Sequence, residues 1–195
     1  MDKSQYDKDE TLLCQKPKTT DKKCRTMIEA GDTEGLVEFI KGRFTERYIT
    51  PLKAVPKSQA NGFSTMAICC LMIEALESFR QGWEDTDRKG ALPFCCFFSA
   101  NDNFAAFRTL SVDFYRQVRC GILHQGETTK GWRIKRWKHP LLDPTTKTIN
   151  ADKFHLELAI SLEQYCDALS TCPWGSDLWV KFERKMRKVL KNCNP

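Results

Sequence analysis

Two side chains in this 195-residue chain have the types and spacing to handle a phosphate ester: Arg119 and His124, in the run FYRQVRCGILHQGETTKGW from Phe114 to Trp132. Histidine as a residue type titrates near neutrality and can take or give a proton in the transition state. A guanidinium stays charged and offers a fork of donors to the negative charge that develops on a phosphorane. With a neighbouring 2′-hydroxyl as nucleophile, such a pair supports RNA cleavage and needs no metal.

Geometry sets a condition on that chemistry. Positions 119 and 124 are separated by about 140° on an ideal helix, so they do not share a face. His124 lies two positions past Ile122, about 200° round from the apolar stripe of Phe114, Val118 and Ile122, and points away from the core. The pair converges if Arg119 folds its long side chain round, if the helix is distorted near Gly121, or if both face a cleft made with another subunit. Gly121 in mid-helix costs about 1 kcal/mol relative to Ala and signals close approach of another backbone. The plainer alternative is an exposed histidine favoured by the dipole at a helix end, with Arg119 on the surface. Cys120 beside His124 would permit a cysteine nucleophile, but no third residue to orient them is evident.

The elements that must position these residues read as helices. Leu36, Phe39, Ile40, Phe44 and Tyr48 recur at helical spacing from Asp32, with Pro51 as a breaker. A second helix, capped by Ser64 or Thr65, runs through Met66, Ile68, Leu71 and Met72 to Gly82; it is nearly apolar all round in its first half and is interrupted by Glu74, which makes it central. After a polar loop from Arg80 to Pro93 and a short apolar stretch at Phe94 to Ser99, a third long helix spans Phe104 to about Gly126. Phe154, Leu158, Leu162, Tyr165 and Leu169 define a fourth behind Asp152, and Leu178, Phe182, Met186 and Val189 a fifth behind Ser176. Alternation at Trp132 to Lys135 and the turn at Asp143-Pro144 predict a small β-hairpin within 131–150. The fold class is therefore mainly α, a bundle of about five helices with one hairpin insertion. Residues 1–25, rich in Lys and Asp, read as a flexible arm, and 26–195 as a single domain.

Composition narrows the function classes. Twelve Phe and five Trp suffice for a packed interior. No stretch of ~18 unbroken apolar residues predicts a membrane span, and Met1 to Lys23 lacks the apolar core of a secretory signal, so the expected compartment is the cytoplasm. Ten cysteines include no Cys-x-x-Cys pair, and only three histidines accompany them; neither a structural metal nor a cofactor is expected. Cys69, Cys70, Cys95 and Cys96 stand in apolar runs as small hydrophobes. Of the net charge of +6, much is clustered: five basic residues and no acid from Lys130 to His139, and six against Glu183 alone from Lys181 to Lys191. Such clusters suit a polyanion, although a solvated face is the commoner cause.

Arg119 to His124 resembles the Arg-x4-His form of the motif of the HEPN superfamily, whose members are helical bundles found in toxins, CRISPR-associated ribonucleases and antiviral effectors. The resemblance covers residues 33–193 as architecture and 114–129 as motif. It implies His124 as general acid or base, Arg119 as stabiliser of the scissile phosphate, and Glu74 on the preceding helix as the group that orients them. It also implies a metal-independent endoribonuclease acting as a toxin or defence effector. The site would be shared across a homodimer, RNA would be the substrate, and an antitoxin or regulatory protein a further partner. Cys120 and Gln125 beside the motif, and Lys130, Arg133, Lys135 and Arg136 around Trp132 and Trp137, are the expected RNA contacts. The family frequently places Asn, Asp or His after the motif arginine, where this chain has Cys120. That departure keeps open a second reading, an inactive HEPN-like module that binds RNA or regulates. The Trp-containing hairpin likewise has a purely structural alternative, packing its indoles on the helices.

Overall fold

The structure, a computed structural model, describes residues 10–56 and 60–193. Among the described residues there are seven α-helices, so the class is mainly α, with two helices more than the apolar pattern predicts. The first extra one, α1 (Asp21–Ala30), falls in the segment read as an arm. Its buried face rests on Cys24 and Met27 with Asp21, too little apolar surface to leave a periodic signal. Residues 10–25 are accordingly built in, with Leu12–Cys14 (β1) antiparallel to Thr19–Thr20 (β2) and with Leu13 and Cys14 buried. Residues 1–9 of the expected arm lie outside the described residues.

Helix α2 (residues 33–53) is capped by Asp32, whose carboxylate accepts from the Gly35 N–H at 2.9 Å. It does not stop at Pro51. A π turn at Thr45–Ile49 has already broken the i→i+4 ladder before the last turn, Thr50–Lys53, so the missing proline N–H is easily tolerated there. Helix α3 (Gly62–Gln81) starts ahead of Ser64, behind Asn61, and ends at Gly82 with φ 67°, a left-handed cap that favours glycine. The other extra helix is α4 (Leu92–Ala100), followed by a 3-10 segment, Asp102–Leu110, and then α5 (residues 111–125), which carries the motif. Helices α6 (Ala151–Thr171) and α7 (Asp177–Cys193) complete the set; Asn150, not Asp152, caps α6 by accepting from two backbone N–H groups.

The expected hairpin is part of a three-stranded sheet. Strands β4 (Leu142–Asp143) and β5 (Thr148–Asn150) pair antiparallel around the Asp143-Pro144 turn, whereas β3 (Arg133–Lys135) joins the other edge of β5 in parallel register, Ile134 opposite Ile149. The alternating Trp132–Lys135 segment is thus a parallel neighbour rather than a hairpin arm.

Packing centres on α3, which lies against α4, α6 and α7. Among the described residues it is the one helix long and apolar enough to cross a membrane by length and composition, and most of its apolar window is buried inside this fold. Beside it the core is built of phenylalanines. The Phe98 ring meets those of Phe94, Phe97, Phe104, Phe107, Phe114 and Phe154 at centroid distances of 5.0 to 6.4 Å. Phe114 in turn stacks on Phe154, which fastens the start of α5 to α6. A buried polar link joins α6 to α2. His155, 8% exposed, has Nε2 3.2 Å from the Tyr48 carbonyl; a carbonyl only accepts, so Nε2 carries the proton.

Two outcomes follow from this core. Phe98→Ala removes the ring at the centre of the cluster and lowers unfolding free energy by about 3–5 kcal/mol, measured by denaturant titration. His155 is held below its ordinary value, first by burial and also by Lys53, despite the Tyr48 bond and the attraction of Asp152. Its folded form therefore resists protonation. Stability is full above the unfolded value of about 6.5 and falls as pH drops through that value toward the lower folded one. The midpoint of thermal unfolding declines over that window in the native chain, and His155→Gln flattens the decline.

Candidate functional site

The motif helix is distorted ahead of Gly121. Tyr115 to Arg119 form a π turn in which the Tyr115 carbonyl accepts from the Cys120 N–H, an i→i+5 bond. Such single π turns concentrate at functional positions in helices. Regular α geometry resumes at Cys120–Gln125, and Arg119 reaches its partners by the length of its side chain. Its Nε stands 2.7 Å from Glu74 Oε1 and its Nη2 3.3 Å from Glu74 Oε2, while Nη1 is 3.4 Å from His124 Nε2. The three residues singled out in the sequence are thus in one place within a single chain. A guanidinium cannot accept, so where this contact is a hydrogen bond Arg119 donates and His124 Nε2 accepts.

Burial grades outward along this row. The Glu74 and Arg119 side chains are 14% and 19% exposed, and His124 lies open to solvent. Burial opposes the charge on Arg119, but the hydrogen bond and charge of Glu74 outweigh it and hold the guanidinium above its ordinary value. The Arg119 guanidinium also lies over the Tyr115 ring at 5.7 Å. The Tyr115 hydroxyl is pushed up by its hydrogen bond with the Cys120 side chain and then by burial. Glu74 takes one further bond, from Thr86 Oγ1 at 3.3 Å. Between these groups runs a groove of about 420 Å³, with Glu74, Tyr115 and Arg119 on one wall and Thr86, Asp87, Arg88 and Gly90 on the other.

Gly121 does what its position in the sequence implies. A Cβ there would collide with the Glu127 carbonyl oxygen, because the chain turns at Gly126, φ 74°, and comes back across the helix. The return continues past Gln117, whose carbonyl accepts from the Thr129 N–H at 3.0 Å. This reversal decides where the basic segment goes. Trp132 is buried edge-on against Phe114, its Nε1–H donating to Asp113 at 2.9 Å. Phe114 is ten residues before His124, ~15 Å along the helix.

The expected RNA contacts therefore divide. Cys120 is half-buried beside Tyr115, and Gln125 is exposed on the final turn next to His124. Lys130, Arg133 and Lys135 are exposed but are carried back toward the start of α5. Arg136 is paired with Asp152 at 2.9 Å and lies close to Gly62, twelve residues and ~18 Å along α3 from Glu74. Arg133, Lys135 and Arg136 belong to a segment that lies at the Gly62 end of α3, away from the Arg119–His124 pair, while Lys130 follows Thr129, which is bound to Gln117. Trp132 follows the structural alternative, while Trp137 is 52% exposed.

Tyr115 and the loop residues Thr86 to Gly90 were not legible as site residues. Tyr115 had one usable signal, its place four residues before Arg119 on the same face; the loop, polar and aperiodic, had none. Glu77, three residues after Glu74, was also passed over. It is fully buried and bound to Arg80 at 3.2 Å, a structural pair one turn further along α3. Comparison with models of protein families, with curated proteins and with solved structures finds no match to this chain.

The Glu74–Arg119 contact makes its own test. Glu74→Gln and Arg119→Gln each lower stability by about 1.5–3 kcal/mol by leaving a largely buried charge without its partner. The double variant loses less than the sum, by about 1–3 kcal/mol in a thermodynamic cycle. Strictly additive losses would show that the pair is not coupled.

Proposed function

We propose that this chain is a metal-independent endoribonuclease of HEPN type, a helical bundle whose chemistry lies at Arg119, His124 and Glu74. The observation that carries the reading is the Arg119 guanidinium, which lines a polar groove, is held by Glu74 and stands 3.4 Å from His124 Nε2. His124 takes the proton from a 2′-hydroxyl or returns one to the departing 5′-oxygen. Arg119 faces the charge that develops on phosphorus, and Glu74 fixes its orientation so that none is lost in the transition state. Two copies of the motif helix share the site in a homodimer; His124 and the 36% exposed Leu123 at its side supply an open surface for that contact. A cytoplasmic toxin or defence effector with this activity requires an antitoxin or other regulatory partner to restrain it.

The second reading, an RNA-binding module without cleavage, is favoured by two features. Both carboxylate oxygens of Glu74 engage Arg119, so two of its nitrogens are already committed and not free to grip a phosphate. Cys120 after the motif arginine points the same way.

Purified protein incubated with RNA in a chelator distinguishes the two. Cleavage leaving 2′,3′-cyclic phosphate ends, reduced by about 10²–10⁴ in His124→Ala, supports the nuclease. Cleavage that persists in that variant, or that needs added magnesium, sinks it. Binding that weakens steeply with salt and yields no products identifies the module.

A further inference from the structure

A second charged cleft lies on another flank of α3, floored by Ala75 and Phe79, and the Arg119–His124 chemistry does not use it. Arg43 and Arg47, one turn apart on α2, face Lys185 of α7 across a cavity of about 160 Å³. The groups that satisfy these cations are neutral. Arg43 Nη1 and Arg47 Nη2 both donate to the Leu13 carbonyl, at 2.6 and 3.3 Å, and Lys185 Nζ donates to the Glu84 carbonyl at 2.7 Å. Among the described residues no carboxylate stands within ion-pair distance of any of the three. Glu84 gives its carboxylate to Lys188, Glu46 accepts from the Gln15 N–H, and Asp85 attracts Lys185 only from further off.

Arg43 and Lys185 are half-buried without a countercharge, which is costly to a fold, and the exposed Arg47 adds a third positive charge beside them. The cost registers in the proton affinity of the two half-buried ones. Burial, then the charge of Arg47, draws Arg43 down to about 10. Burial also lowers Lys185, with Arg43 and Lys188 adding to the effect. Arginine forks match the tetrahedral oxygens of a phosphate, and the two guanidiniums retain most of their donors beyond the shared carbonyl. Size agrees. At ~30 Å³ for each water-sized group the cavity holds about five heavy atoms, the bulk of one phosphate. A wider hollow of about 350 Å³ shares Arg43, Arg47 and Val189 and leaves room for whatever the phosphate is attached to.

We infer that the cleft between α2 and α7 binds a phosphomonoester, its terminal phosphate held by Arg43, Arg47 and Lys185. The charge and size of the cavity suit a terminal dianion, either on a small metabolite or at the phosphorylated end of an oligonucleotide. The site stands apart from the proposed nuclease centre, and its test reads binding alone.

The experiment follows thermal unfolding and calorimetry of the full chain with inorganic phosphate, against sodium chloride at equal ionic strength. Phosphate at a hundredfold excess over its Kd raises Tm by about 5–10 °C, and chloride does not. Arg47→Ala and Lys185→Met weaken phosphate binding at least tenfold. Lys185→Met does not lower Tm in phosphate-free buffer, because it removes an uncompensated charge. Adenosine monophosphate against adenosine, and a 5′-phosphorylated against a 5′-hydroxyl oligonucleotide, separate the two sources. The inference is overturned if phosphate gives no saturable shift beyond chloride, if both variants bind like the native chain, or if adenosine binds as well as its monophosphate.

Discussion

A carboxylate in an apolar helix must find a cation, and that requirement organises this molecule. Helix α3 is the central element, and it carries Glu74 and Glu77 through the middle of the fold. Glu77 is answered locally by Arg80, which also reaches Asn101 and the Ser161 carbonyl and so ties α3 to the start of the 3-10 segment and to α6. Glu74 has no such neighbour on its own helix. Its partner comes from α5, forty-five residues later, and this fixes how α5 lies against α3. The candidate site is in that sense a by-product of solving a burial problem, since the guanidinium that neutralises Glu74 is the one placed beside His124.

That solution works because α5 is held at its other end by apolar contacts that do not depend on charge. Phe114 is locked between Phe98, Phe107, Phe154 and Trp132, and the π turn starts at the next residue. The turn adds a residue to the helical repeat between the aromatic anchor and Arg119, so the two ends of α5 meet separate demands. Gly121 then lets the returning chain cross the helix, which leaves His124 exposed at the last turn rather than covered by Glu127 to Thr129.

Much of this was legible in residue spacing, and what was not has physical causes. The mainly α class and the Asp143-Pro144 turn could be read from period and breakers, whereas the third long helix expected from Phe104 begins as a 3-10 segment up to Leu110, and Glu74 came to the Arg119–His124 pair only through the family resemblance. Helix α1 could not be read, because its burial depends on Cys24 and Met27 instead of a stripe of large aliphatics. An ideal helical wheel put Arg119 and His124 140° apart. It describes Cα directions and says nothing of a side chain long enough to reach Glu74 and His124 together. The basic stretch from Lys130 to Lys138 misled by proximity in sequence. Chain reversal at Gly126 is a tertiary event, driven by burial of Trp132 on Phe114, and it carries the charges away from the motif they follow.

The two clefts flanking α3 deal with charge in opposite ways, and one loop connects them. In the groove at Arg119 the cation has its carboxylate, and the loop closes over it through the Thr86 hydroxyl on Glu74. Two residues earlier the same loop offers only a backbone carbonyl, that of Glu84, to Lys185 in the cleft where Arg43 and Arg47 have no countercharge. A peptide carbonyl satisfies the hydrogen bond of an ammonium group but leaves its charge standing. The segment from Glu84 to Thr86 is therefore held at both ends by charged groups of different standing, one neutralised and one not. An anion entering the second cleft would meet Lys185 in competition with the Glu84 carbonyl, two residues from the contact that lines the first.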